Sequence, residues 1–146
     1  MAHILVVDDD DILAELASRI LIGAGYGCGF VCDTVAAQQV LARRKPDLVL
    51  LDQNLPGENG TALLRRMRLS PRLYDIPVMM LTGVYGENEE QIAYHHGAKD
   101  YIRKPFTAKH LVHRVNRTLR LHGCAPRQEE FPLCQPAQAV LPKRML

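Results

Sequence analysis

Five short apolar runs, each followed by residues whose apolar positions recur at helical spacing, constrain the fold of this chain more than any other feature. The runs are His3 to Val7 (HILVV), Gly29 to Cys32, Asp47 to Leu51 (DLVLL), Pro77 to Leu81 (PVMML) and Lys99 to Arg103 (KDYIR). The first, third and fourth are almost continuously apolar, as a strand buried on both faces must be. After the first run, Ile12, Leu13, Leu16, Ile20 and Leu21 make a helical stripe; Val35, Val40 and Leu41 mark a second, and Leu63, Leu64 and Met67 a third. A fourth helix, about Glu87 to His96, is weakly apolar; a fifth, about Ala108 to Leu121, carries Leu111, Val112, Val115 and Leu119 on an otherwise basic face. Strict alternation of this kind predicts an α/β fold, a doubly wound parallel sheet of five strands, because right-handed crossovers place successive helices on its two sides. In such a sheet, polar chemistry collects at the C-terminal ends of the strands.

Length sets the bounds: 146 residues make one domain, which buries roughly 70% of its extended surface. The periodic pattern stops near Leu121, and residues 123–146 hold Pro126, Pro132, Pro136 and Pro142 without sustained periodicity. The expected organisation is therefore a domain over residues 1–122 and a tail over 123–146, flexible or borrowed by a partner. No apolar run approaches the ~20 residues of a membrane helix. The N-terminus meets four consecutive acids too soon to be a signal peptide, so a cytoplasmic location with no membrane association is expected. Cys28, Cys32, Cys124 and Cys134 show no CxxC spacing and read as reduced thiols. The net charge of +2 selects no acidic partner by itself.

Projected onto the sheet, the polar residues converge. The first strand ends at Asp8 and Asp9, the third at Asp52 and the fourth at Thr82, and Lys104 stands before Pro105 just past the fifth. Neighbouring strands lie about 4.8 Å apart, so these side chains share one rim pocket if their strands are neighbours. Carboxylates forced together repel unless a cation neutralises them. All-oxygen donors suit a hard divalent ion, magnesium, with manganese as a substitute. Asp52 is then the natural nucleophile: a carboxylate attacks phosphorus in line and becomes an acyl phosphate, with Lys104 and the Thr82 hydroxyl stabilising its oxygens.

The segments VVDDD, LLDQNLPGENG, MLTG and DYIRKPF stand in the order found in response-regulator receiver domains, and over residues 3–121 the chain resembles that family. The resemblance implies the flavodoxin-like, CheY-like strand order 2-1-3-4-5. It implies that Asp9, Asp52 and the main-chain carbonyl of Asn54 ligate magnesium, with Asp8 acting mainly through water. It further implies a cis Lys104–Pro105 bond, and a switch in which Tyr101 moves inward as Thr82 is drawn toward the phosphoryl group. The donor would be a sensor histidine kinase or a histidine phosphotransfer protein. The surface of the fourth helix, fifth strand and fifth helix would bind targets or form a homodimer. Residues 86–96 hold no Lys or Arg, so inter-subunit charge pairing is incomplete, Asp100 with Arg114 supplying a part. Residues at Asn54 and Val84 tune phosphoryl lifetime, and Val84, lacking a polar group, is expected to slow hydrolysis.

Competing readings explain less. Asp10 or Asp11 caps the first helix. The glycines Gly23, Gly25, Gly27 and Gly29 follow a helix and precede a strand, the wrong order for a phosphate loop, and end helix one. His110 and His113 have ligand-like spacing without accompanying ligands, and His95, His96 and His122 likewise read as solvated. The basic residues Arg103, Lys109, Arg114, Arg117 and Arg120 read as a solvated helix face; with no helix-turn-helix after residue 121, direct DNA binding is not expected and the chain reads as a stand-alone receiver, a switch rather than an enzyme. The alternative from another class is a phosphatase resembling the haloacid-dehalogenase superfamily, with Asp8 and Asp10 as nucleophile and acid; it leaves Asp52 without a central role. A flavodoxin-like cofactor binder is the other.

Overall fold

The computed structural model of the chain describes residues 2–83, 94 and 97–122. Of the expected fourth helix only Tyr94 is described; Val84, His95, His96 and the expected tail with Cys124 and Cys134 lie outside the described residues. The elements run β1 (His3–Val7), α1 (Asp11–Gly23), β2 (Gly27–Val31), α2 (Thr34–Arg43), β3 (Leu48–Asp52), a two-residue antiparallel pair β4 (Asn54–Leu55) and β5 (Glu58–Asn59), α3 (Gly60–Leu69), β6 (Val78–Thr82), β7 (Asp100–Arg103) and a helix over Ala108–Leu121. The main sheet has five strands in the order β2-β1-β3-β6-β7, every pairing parallel. With the short pair β4 and β5 set aside, this is the expected order 2-1-3-4-5.

Strand residues alternate between two apolar layers, as the period of two requires. Leu5, Val7, Val49, Leu51, Val78 and Met80 pack against Leu41 of α2 and Leu63, Leu64 and Met67 of α3. Ile4, Val6, Leu48, Leu50, Met79 and Leu81 face the opposite way, onto Ala14, Ala17 and Leu21 of α1 and Leu111, Val115 and Leu119 of the last described helix. Both faces of the sheet are covered, so β3 and β6 are buried at every position.

Some expectations need correction. Ile12 and Leu16 of α1 are 77% and 50% exposed, and Val35 of α2 is 63% exposed. The buried face of α1 is Ala14, Ala17, Ser18 and Leu21, spaced i, i+3, i+4 and i+7. Small residues let this helix approach the sheet closely, so the larger side chains turn outward. Three strands, β3, β6 and β7, begin one residue later than the apolar runs suggested, and β2 begins two residues earlier. Asp47, Pro77 and Lys99 precede their strands and contribute ladder-edge bonds: Asp47 N–H donates to the His3 carbonyl at 2.8 Å, and Lys99 N–H to that of Val78 at 2.8 Å. Gly27 and Gly29 belong to β2 rather than ending helix one. At Gly27 a Cβ would run into the His3 ring, which explains a glycine within a strand there. Among the described residues no helix is long and apolar enough to cross a membrane.

Candidate functional site

The site forms where β1, β3 and β6 end and β7 passes into a loop. Beyond β1 the Asp8 N–H donates to the Val31 carbonyl at 3.1 Å, holding the chain in line with β2 so that the Asp8 side chain enters the rim fully buried. Asp8 Oδ1 accepts the Asp10 N–H at 3.0 Å. Asp10 turns away: its Oδ1 accepts the N–H groups of Ile12 and Leu13, both at 3.1 Å, and caps α1. Asp9 is exposed at the mouth. Asp52 is the last residue of β3, and its Oδ1 accepts the Asn54 N–H at 3.3 Å. Asp8, Asp9 and Asp52 each offer an oxygen, these lying within 4.8 Å of one another.

The opposite wall comes from β6 and the loop after β7. Thr82 ends β6, fully buried, and its carbonyl accepts the Lys104 N–H at 2.7 Å. The Lys104–Pro105 bond is cis, as expected. The lysine reaches back over the pocket, Nζ lying 2.7 Å from Asp8 Oδ2 and 3.5 Å from Asp52 Oδ2. Asp8, Asp9, Asp52 and Lys104 thus meet, with Thr82 on the strand beside Asp52, which pairs with Leu81. The Asn54 main chain follows two residues after Asp52. Tyr101 lies on β7 opposite Met80 and is buried.

Electrostatics separates Asp52 from an ordinary carboxylate. Its pKa is pushed up from 3.8 to about 7, first by burial, then by the charge of Asp8 and a hydrogen bond with it, against the lowering pull of Lys104 and the Asn54 N–H. Three carboxylates against one ammonium leave two formal negative charges when all are ionised. Asp8 Oδ2 is buried without a hydrogen bond, the nearby Lys104 ammonium acting as a charge rather than an aligned donor. A buried acceptor left in this way, in an all-oxygen acidic cluster, fits a hard divalent cation such as magnesium.

Several residues fall elsewhere. Asp10 is spent on its cap, which removes the acid required by the phosphatase alternative. Asp100 is bound within the chain, Arg114 Nε donating to Asp100 Oδ2 at 2.7 Å with a second guanidinium contact to Oδ1, rather than standing free for another subunit. His110 and His113 are exposed. Sequence reasoning missed a brace behind the β4–β5 turn. Arg66 of α3 grips both Glu58 oxygens, with Nη1 to Oε2 at 2.9 Å, and the Gln38 amide of α2, turned so that its oxygen rather than its NH2 faces the guanidinium, accepts from Arg66 Nη2 at 2.5 Å and Nε at 3.1 Å. The only sequence trace of it is an acid eight residues before an arginine, across a turn. Cys32, expected as a reduced thiol, borders the acidic rim: burial, then the charges of Asp11, Asp33, Asp8 and Asp9, raise its thiol pKa, which marks it as an unreactive neighbour.

Comparison with known proteins agrees with this arrangement. Residues 4–116 match the family described as response regulator receiver domain. The phosphate regulon transcriptional regulatory protein PhoB of Pseudomonas aeruginosa is 41% identical over 130 residues, 89% of this chain and 56% of that protein. The DNA-binding response regulator MtrA of Mycolicibacterium paratuberculosis is 40% identical over 124 residues, 85% of this chain and 54% of that protein. The chain thus spans about half the length of the curated relatives it matches. Among solved structures, the CheY-like response regulator receiver domain protein of Methanospirillum hungatei superposes with a TM-score of 0.77 at 26% identity, covering 85% of this chain and 98% of that one. Two of these relatives are named as regulators of transcription or binders of DNA, so the expectations of a stand-alone receiver and of no link to DNA gain no support.

Proposed function

Because the chain belongs to the response regulator receiver family, we propose that it is a phosphorylation switch in which Asp52 accepts a phosphoryl group from the phosphohistidine of a sensor kinase or a histidine phosphotransfer protein. The observation that carries this reading is the meeting, at the strand ends, of a buried Asp52 with Asp8, Asp9 and the Lys104 ammonium. An Asp52 oxygen attacks phosphorus as the P–N bond breaks; the electron pair goes to the imidazole nitrogen, which takes up a proton, and Asp52 becomes an acyl phosphate. Magnesium, or manganese in its place, held by Asp8, Asp9, Asp52 and the Asn54 carbonyl, would supply positive charge to the phosphoryl oxygens. Lys104 stays near Asp52 and takes up an ion pair with the new dianion. The Thr82 hydroxyl donates to a phosphoryl oxygen, and its displacement is felt by Tyr101 on the neighbouring strand. The charge change biases a two-state surface made of β7, the Ala108–Leu121 helix and the segment before β7.

That surface is the output, offered to a target protein or to a second copy. The names of the relatives support an output directed at transcription, and the same switch serves whether the effector is a partner or part of the same polypeptide. Incubation with acetyl phosphate and magnesium, borohydride trapping and peptide mass analysis test the assignment. Modification of the peptide bearing Asp52, lost in Asp52→Asn, is the expected result; modification at Asp8 refutes it.

A further inference from the structure

The site depends on a short turn whose Leu55 is buried in the core while its tip, Pro56 and Gly57, is exposed. Asn54, two residues beyond Asp52, lies in β4, which pairs only with β5, Asn54 opposite Asn59 and Leu55 opposite Glu58. A two-stranded ribbon of this size does not hold its shape alone. Its inner end is fastened: the Gly60 N–H donates to the Gln53 carbonyl at 2.7 Å, the Thr61 hydroxyl donates to Gln53 Oε1 at 3.0 Å, and Asn59 caps α3 through the Ala62 N–H at 3.0 Å. Its outer end turns through Pro56 and Gly57, where a φ of +84° is glycine's. There Glu58 is the one fastening among the described charged residues. Arg66 holds both of its oxygens, and Gln38 of α2, its amide turned with the oxygen toward the guanidinium, anchors Arg66 in turn.

We propose that Glu58 and Arg66 are positioning residues for the metal site: their brace across α2 and α3 fixes the β4–β5 turn, and with it the Asn54 main chain, in place beside Asp52. The inference rests on the reading of Asp9, Asp52 and the Asn54 carbonyl as ligands. Neither brace residue touches the acidic pocket. Both are partly exposed, with side chains 26% and 47% accessible for Glu58 and Arg66, so the pair adds little to overall stability. Its effect belongs to geometry, because supports behind a ligand set its position and hence the affinity for the ion.

Magnesium affinity measured by calorimetry on the metal-free protein tests this in Glu58→Gln, Arg66→Gln, Arg66→Lys, the Glu58→Gln/Arg66→Gln double variant and, as a control, Asp9→Asn. Each brace variant is expected to bind magnesium roughly three- to tenfold more weakly. The double variant should be no weaker than the weaker single, since one brace is broken in all, and the metal-free melting temperature should barely move. Arg66→Lys should fail like Arg66→Gln, because the charge survives but the two-pronged grip does not. A field effect alone predicts opposite signs: loss of Glu58 weakens binding and loss of Arg66 tightens it. That pattern, or unchanged affinity in every brace variant, overturns the proposal. Retained magnesium affinity in Asp9→Asn overturns instead the ligand assignment beneath it.

Discussion

Asp52→Asn should make the metal-free protein more stable, and the gain should depend on pH. Asp52 is 3% exposed, and its pKa stands at about 7 against an ordinary 3.8. A carboxyl shifted upward in the folded state costs nothing below pH 3.8, where it is protonated folded or unfolded; the cost grows as pH rises and is complete above about 7. At about 1.4 kcal/mol per pH unit the ceiling is about 4 kcal/mol. The pull of Lys104 and the push of Asp8 are already contained in that net shift; what lowers the gain is that Asn is itself a buried polar group, keeping an oxygen to accept the Asn54 N–H but bringing an amide NH2 that must be desolvated. A net gain of about 1–2 kcal/mol at pH 8 is expected, which for a domain of this size raises the melting temperature by about 4–8 °C. Urea and thermal unfolding of both proteins in chelator, from pH 4 to pH 8, supply the comparison. The difference should be near zero at pH 4, open between pH 4 and pH 7 and level off above. Magnesium should narrow the gap, because it binds and stabilises the folded wild type preferentially. A gain independent of pH, or a variant less stable at pH 8, refutes the reasoning: the ion pair with Lys104 would then outweigh the burial of Asp52.

Other perturbations address single contacts. Lys104→Gln removes the cation lying 2.7 Å from Asp8 Oδ2, so magnesium affinity should rise by a factor of about 2–10 while the acetyl phosphate labelling of Asp52 falls; weaker magnesium binding in this variant would contradict the competition between the two cations. Gly60→Ala sets a Cβ against the Asp52 carbonyl and within 3.2 Å of the Leu51 side chain. Loss of at least about 2 kcal/mol of stability in chemical denaturation is expected, together with weaker magnesium binding, and a neutral outcome would show that the start of α3 can yield. Asp10→Ala should cost about 1 kcal/mol as a lost helix cap and leave the labelling of Asp52 intact. Loss of labelling without loss of stability would restore Asp10 to the chemistry.

The strands and the rim were legible because each depends on local pattern. β3 and β6 are buried at every position, so their apolar runs could be read directly, and in a parallel sheet the residue that ends such a run must stand at the C-terminal edge. Asp52 and Thr82 follow from that rule, and Lys104 from its place beyond the last strand. What the sequence concealed depends on distance rather than order. The face of α1 was misread because Ala14, Ala17 and Ser18 are weakly hydrophobic yet are the residues that let the helix lie close to the sheet. The grip of Arg66 on Glu58 joins two elements through a third, and the burial of Tyr101 is a packing choice that its motif leaves open. The state of Asp52 was concealed for the same reason. The order of residues says that acids meet a lysine, but burial decides the sensitivity of the pocket. On an open surface, one added phosphoryl group would be screened within a Debye length. Behind the strand ends, where Asp8 is fully buried and Asp52 nearly so, each change of charge must be answered by Lys104, by a cation or by movement of the strand end carrying Thr82. Only the last of these reaches the outer surface. A receiver therefore signals to the degree that its pocket is too dry to absorb the new charge locally.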